Sequence, residues 1–316
     1  MGKHPIRAVV RQTGLSPHLI RVWERRYQAV TPERTDTGRR VYSDADIEKL
    51  SLLRQATQAG ESIGHIANLS RDELVALITS TGISTTPVTT PSTTAETPSP
   101  DLFLGRCLEN VKNLDAGGLE VNLLNASVSL GEQVFLEQVI QPLMSNIGRL
   151  WSEGAIKVVH EHISSAVVRS MLGSMVLASK RFDDGPVILV TTPVGQVHEF
   201  GALMAALSAS SIGWQSLYLG PNLPVEDILA VLKERRIDAI ALSIIFPPDD
   251  PHVKAYLQKL GRFLPPNVTL VVGGEAAESY KQIIGSIGGV ICHNLNELKN
   301  HLNDARRTRS SDTGIN

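Results

Sequence analysis

The sequence predicts a multidomain chain: a small helical domain with one turn-rich patch, a helical bundle, and a doubly wound parallel α/β domain. Three observations predict it. Residues 79–100 hold nine Thr, four Ser and four Pro among 22 positions, a composition with almost nothing to bury that reads as a flexible linker. Before it, residues 1–78 read as short helices; after it, 101–182 carry helical spacing only. From residue 186 onward the short apolar runs Val187–Thr191, Trp214–Leu219, Ala239–Ile245 and Val268–Val272 alternate with helical segments of about a dozen residues, the signature of a parallel sheet covered on both faces. The expected division is therefore 1–78, linker 79–100, bundle 101–182 and α/β domain 183–305. The polar tail 306–316 reads as disordered.

Composition bounds the function. With 316 residues, 42% of them apolar, the chain is too long for one core and is an ordinary soluble protein. No apolar run approaches the roughly 18 residues of a spanning helix, and the start, Met1-Gly2-Lys3-His4-Pro5, lacks the apolar core of a signal peptide. A cytoplasmic protein with no membrane partner is expected. Cys107 and Cys292 are too few and too far apart for a disulfide framework or a cysteine metal site. Net charge is −2, yet residues 1–56 carry eleven Lys and Arg against six acids, which points to a polyanion at that end. A solvated charged face has the same count.

In the first domain a helix ending near Gln12 breaks at Thr13-Gly14-Leu15 and restarts at Ser16-Pro17, Ser as N-cap and Pro at the first helical position. This is a helix-turn-helix. Its second helix presents His18, Arg21, Arg25 and Arg26 toward base edges and phosphates, while Trp23 and Tyr27 pack the small core. The stretch Thr31–Tyr42 is a hairpin with Thr37-Gly38 at its tip and Arg39 and Arg40 on an arm, followed by a helix capped by Asp44. A basic hairpin in that place is a wing on backbone phosphates; the fold class expected is an all-α winged helix-turn-helix. Trp23-Glu24-Arg25-Arg26-Tyr27, the Arg34–Tyr42 wing and Tyr42-Ser43-Asp44-Ala45-Asp46 closely resemble the MerR family of transcription regulators over residues 6–70. The resemblance implies a dimer on a pseudo-palindromic double-stranded DNA operator. Members often dimerise through a long helix where this chain has its linker, so self-association is expected from the C-terminal half. The other reading is a basic helical domain that binds protein.

In the last domain the segment Thr191–Gly201 follows the first strand. It puts His198 at the carboxyl edge of the sheet, where such folds bind ligands; alone, a strand-end His reads equally as a hydrogen-bonded structural residue. Cobalamin-binding Rossmann-like domains carry Asp-x-His-x-x-Gly, then Ser-x-Leu, then Gly-Gly, and His198-x-x-Gly201, Ser243-x-Ile245 and Gly273-Gly274 are similar in order and spacing. The resemblance covers 186 to about 305. It implies His198 as the lower axial cobalt ligand, Ser243 on the displaced base, and Gly273-Gly274 admitting the nucleotide tail without a Cβ clash. Gln196 stands where the family has the acid that orients the histidine. The expectation is that Gln196 accepts a hydrogen bond from His198 without adding charge, and that Gln196→Glu tightens cobalamin binding.

Upstream, Gly105–Ile147 has apolar spacing for two or three helices and Val158–Ser179 for another. Trp151 lies between them, and nine residues separate it from Glu161-His162. A bundle with Trp-x9-Glu-His ahead of a cobalamin domain resembles the light-sensing CarH/LitR-type repressors. That resemblance implies adenosylcobalamin as chromophore, Trp151 packed on the adenosyl group, Glu161 on its ribose and His162 beside it. It further implies a dark homo-oligomer, dimer or tetramer, that represses and comes apart when light breaks the Co–C bond. Otherwise Trp151 is bundle core and Glu161-His162 a solvated face. Some such photoreceptors have a His after the Trp where this chain has Ser152, leaving His160 or His162 to capture cobalt, or water as the upper ligand after light. A cobalamin enzyme, mutase or methyltransferase, needs a substrate barrel of about 250 residues, for which there is no room, so no enzyme is expected; a scaffold gives wing and recognition helix no purpose. The remaining alternative is a MerR-type regulator with a degenerate pocket, controlled by a protein partner or another tetrapyrrole such as haem.

Overall fold

In the computed structural model the chain forms two compact units, Met1–Met171 and Leu172–Asn316. Residues 3–15, 17–35, 38–58, 61, 63–80, 99–179 and 185–312 are described, without the side chains of Arg7, Pro17, His18, Arg26, Gln58, Ser80 and residues 308–312.

The first unit opens with β1 (His4–Pro5), α1 (Ile6–Thr13) and α2 (Pro17–Tyr27). Gly14 ends α1 at φ 67°, and Arg54 Nη1 donates to Thr13 O at 2.6 Å, capping the helix across the turn. The positive φ is what favours glycine in the turn; a Cβ on Gly14 would lie 2.1 Å from that nitrogen, a side-chain tip that can shift. The hairpin is β2 (Glu33–Arg34) and β3 (Arg40–Tyr42), and β1 pairs with the free edge of β3 to give a three-stranded sheet, β1-β3-β2. The domain is thus not all-α. Two residues, one of them proline, are too short for any alternation to announce a strand. Next comes α3 (Asp44–Gln58), whose cap is Ser43 and not Asp44. Ser43 Oγ accepts from Asp46 N at 3.1 Å while the Asp46 carboxylate accepts from Ser43 N at 2.8 Å, a reciprocal capping box. With α4 (Ile63–Ile66) and α5 (Arg71–Ser80) these helices bury Leu19, Ile20, Trp23, Tyr42, Leu50 and Leu53.

Most of the expected linker, residues 81–98, lies outside the described residues; its ends belong to helices, Thr79-Ser80 to α5 and Pro100 to α6 (Pro100–Lys112). Ser99 caps α6, accepting from Leu102 N at 3.2 Å. Then follow α7 (Ala116–Leu130), α8 (Glu132–Phe135), a π-helical turn at Leu136–Ile140, α9 (Gln141–Ser152) and α10 (Val158–Ala178), helical throughout as expected. Cys107 is in the core there, and burial pushes its thiol up to about 12, far from reactive thiolate.

The second unit alternates β4 (Val187–Thr191), α11 (Phe200–Ser211), β5 (Gln215–Tyr218), α12 (Val225–Glu234), β6 (Ala239–Ser243), α13 (Pro251–Phe263), β7 (Thr269–Gly273), α14 (Lys281–Ser286), β8 (Val290–Cys292) and α15 (Leu295–Asp312). The sheet is parallel in the order β5-β4-β6-β7-β8. Every residue of β4 and β6 is buried, as central strands covered on both faces must be. β8, a three-residue edge strand, was not expected. From β4 the chain moves to β5 and then crosses back to β6, so right-handed crossovers put α11 and α12 on opposite faces, and α15 returns to pack on α11. The order therefore reverses between β4 and β6, and the crevice at their carboxyl ends is where such a sheet takes a ligand. α15 continues to Asp312, so residues 306–312 are helical where a disordered tail was expected; 313–316 lie outside the described residues. Among the described residues no helix is long and apolar enough to cross a membrane.

Candidate functional site

The loop from Thr192 to Glu199, between β4 and α11, is held by its own side chains. Thr192 Oγ1 donates to Gln196 O and accepts from Asn222 N at 2.8 Å, and Gly195 N donates to Asn222 Oδ1 at 2.7 Å. Gln196 is 1% exposed. Its Oε1 accepts from Ile245 N at 3.0 Å and Phe246 N at 3.2 Å, and its Nε2 donates to Phe246 O at 2.7 Å. The side chain thus spans the crevice and ties the loop after β4 to the loop after β6. This corrects the expected role: both acceptor sites of the amide oxygen are taken by main chain, so Gln196 does not accept from His198. His198 is exposed and, among the described residues, makes no hydrogen bond. Next to it Glu199 is buried, and the Tyr218 hydroxyl at the end of β5 donates to its Oε2.

Ser243 closes β6 beside this loop, 5% exposed, with an Oγ that has no partner among the described residues. A Cβ on Gly201 would lie 2.5 Å from that oxygen; glycine there leaves space against the hydroxyl. Gly273 pairs with Ser243 across the sheet, and Gly274, at φ 100°, sits on the Ile244 peptide. The Gly-Gly pair therefore already answers a packing need within the protein. Val194, Val197 and Phe246 are large apolar side chains exposed on the same two loops. The sequence-chosen Gln196, His198, Gly201, Ser243, Ile245, Gly273 and Gly274 all fall at this edge. Thr192, Glu199, Tyr218, Asn222 and Phe246 were missed, because their roles are set by partners far along the chain. Among the described residues this edge thus gathers an unbonded imidazole, a buried hydroxyl without a partner and exposed apolar side chains, groups that can meet a ligand.

In the first unit Trp151, the penultimate residue of α9, is 53% exposed, which removes the bundle-core reading. Glu161 Oε2 lies 2.6 Å from His162 Nδ1, and its Oε1 accepts from Ser165 Oγ at 2.6 Å, leaving His162 largely in solvent. His160 Nδ1 accepts from Lys157 N at 3.2 Å, and Ser152 Oγ donates to Arg149 O at 2.8 Å.

At the other end of that unit Arg21 and Arg25 on α2 and Arg39 on the wing carry no side-chain bond among the described residues. The side chains of His18 and Arg26 lie outside the described ones. Arg40, expected on DNA, lies 2.8 Å through Nε from both oxygens of Glu24, to which the Tyr42 hydroxyl also donates at 3.4 Å. Burial, then Glu24, pushes the Tyr42 hydroxyl up to about 12. Arg40 thus fastens the wing to the recognition helix. Arg39→Ala is expected to weaken DNA binding and lower the salt slope by about one, a lost phosphate contact, without changing stability. Arg40→Ala is expected to destabilise the domain by about 2 kcal/mol, leaving a half-buried carboxylate under-bonded. Salt-dependent binding titrations and thermal melts separate the two.

Residues 5–73 match the MerR HTH family regulatory protein family, and residues 106–174 and 186–293 each match a B12 binding domain family. The chain is 29% identical to the HTH-type transcriptional repressor CarH of Myxococcus xanthus over 273 residues, 85% of this chain and 88% of that protein. It is 25% identical to the repressor CarA of the same organism over 306 residues, 96% of this chain and 98% of the relative. The structure of the Methanosarcina barkeri monomethylamine corrinoid protein aligns with 63% of this chain and 96% of its own at a TM-score of 0.52 and 14% identity, a likeness of fold alone.

Proposed function

This chain joins a MerR helix-turn-helix domain to B12 binding domains and is homologous to the Myxococcus repressors CarH and CarA, and from that premise we propose that it is a cytoplasmic, cobalamin-dependent transcriptional repressor. It is a regulator and not an enzyme. The form of the cofactor in this reading is adenosylcobalamin, which when bound supplies a Co–C bond that visible light breaks. The observation that carries the reading is that, among the described residues, the exposed His198 and the buried Ser243 hydroxyl at this sheet edge have no hydrogen-bond partner.

In this reading His198 would hold the cobalt through an imidazole nitrogen. Ser243 would donate its hydroxyl hydrogen to the cofactor's nitrogenous base. Ile245, Gly273 and Gly274 would meet the cofactor at the same edge of the sheet, where Gln196 joins the two loops. Trp151 provides the surface for the adenosyl group, with Glu161 on its ribose and His162 beside it. Arg21, Arg25, Arg26, His18 and Arg39 meet the operator. The protein binds DNA as a homo-oligomer, dimer or tetramer, in the dark and lets go after light, because the two cofactor states favour different conformations.

Full-length protein incubated with adenosylcobalamin in the dark, then followed by absorption, gel filtration and operator gel shift before and after green light, tests this. Co-eluting cofactor with a dark oligomer that binds DNA and a smaller species that does not is the expected result. His198→Ala should weaken cobalamin retention at least about tenfold, as loss of a metal-ligand shell does. Free elution of the cofactor, with size and DNA binding indifferent to light, supports a second reading that the Gln196 departure favours: a MerR-type regulator with a degenerate pocket, controlled by a protein partner or another tetrapyrrole.

A further inference from the structure

We infer that Tyr218 and Glu199 are positioning residues for the ligand histidine: their hydrogen bond, and not any partner on the imidazole, sets where His198 stands. The inference rests on the reading of His198 as the cobalt ligand. No hydrogen bond orients the His198 ring among the described residues, and the oxygen of Gln196 is spent on Ile245 N and Phe246 N. What remains to aim the ring is the main chain on either side of it. Two residues before it, Gln196 is fastened by its amide to the loop after β6 and by its carbonyl to the Thr192 hydroxyl.

On the other side Glu199 opens α11. Its carbonyl accepts from Leu203 N at 2.9 Å, while its carboxylate makes no cap bond to the helix and turns to Tyr218, the last residue of the neighbouring strand. Glu199 is 7% exposed, and a carboxylate so placed is tolerated because it is hydrogen-bonded. Removing the phenol hydroxyl loosens the start of α11 and the residue joined to it. His198 then samples orientations that miss the metal, whereas an anchored loop has little freedom left to lose on ligation.

The test is the nitrogen splitting in the electron paramagnetic resonance spectrum of full-length protein carrying nitrogen-15 histidine and loaded with cob(II)alamin, a doublet where histidine binds cobalt and a triplet where the cofactor's own base does. His198→Ala defines the spectrum without histidine ligation. Tyr218→Phe and Glu199→Ala, with wild-type circular dichroism, are expected to lower the histidine-ligated fraction and weaken cobalamin retention roughly tenfold. Glu199→Gln, whose amide oxygen still accepts from Tyr218, is expected to keep ligation, which a merely structural demand for the charge would not predict. Unchanged splitting in Tyr218→Phe overturns the inference while His198 stands as ligand. A wild-type spectrum identical to that of His198→Ala overturns the ligand reading and this inference with it.

Discussion

Gly274→Ala is expected to unfold the C-terminal unit near physiological temperature, with a loss of roughly 4 kcal/mol. A Cβ at this position would stand 2.3 Å from Ile244 O and 2.8 Å from Ile244 N and C. These are main-chain atoms of the segment leaving β6; the N–H donates to Gly273 O at 2.8 Å and the carbonyl accepts from Ala276 N at 3.1 Å, so they cannot swing away as a side-chain tip can. A φ of 100° adds strain for any residue with a Cβ. Gly195→Ala separates the two effects: its φ is 87°, yet nothing lies within 4 Å of the place its Cβ would take, so it should cost only about 1 kcal/mol. Urea unfolding followed by circular dichroism measures both. Equal losses in the two variants would show that contact with Ile244 is not what makes Gly274 necessary.

Gln196→Leu is expected to cost about 3–5 kcal/mol, because it strips partners from Ile245 N, Phe246 N and Phe246 O at once while keeping the volume. Gln196→Glu should fall between that variant and wild type. A carboxylate still accepts from the two N–H groups, but it loses the donation to Phe246 O and turns a negative oxygen toward that carbonyl. The family pattern led to the opposite expectation, tighter cobalamin binding from Gln196→Glu. Thermal melts with and without cobalamin decide it: a melting temperature above wild type for Gln196→Glu, in either condition, would falsify the clamp.

Much of the fold was legible before any coordinates. The runs read as strands became β4, β5, β6 and β7 to within two residues at either end, because a buried parallel strand announces itself as a short apolar run between turn residues. The helix-turn-helix and its glycine turn were equally plain, since cap and turn chemistry involve neighbours a few residues apart. β1 and β8 escaped, being two and three residues long. The positions of the candidate site were legible from motif spacing, but the roles of Gln196 and Arg40 were not. Gln196 bonds to residues 49 and 50 positions on, and Arg40 to one 16 positions back. Nothing local distinguishes an arginine that will meet phosphate from one that will meet a glutamate on a neighbouring helix.

By itself, then, the amino-acid order determined the fold class of each successive segment and which side chains gather at the sheet's carboxyl edge, since hydrophobic period and turn preference act over one or two turns of chain. Only the tertiary structure decided what each gathered group is bonded to: Gln196 to main chain and not to His198, Glu199 to Tyr218, Arg40 to Glu24, and the Ser243 hydroxyl to none of the described residues. Hydrogen-bond partners are chosen by which distant strands and loops the packed core brings within about 3 Å, and that proximity exists only once the chain has folded.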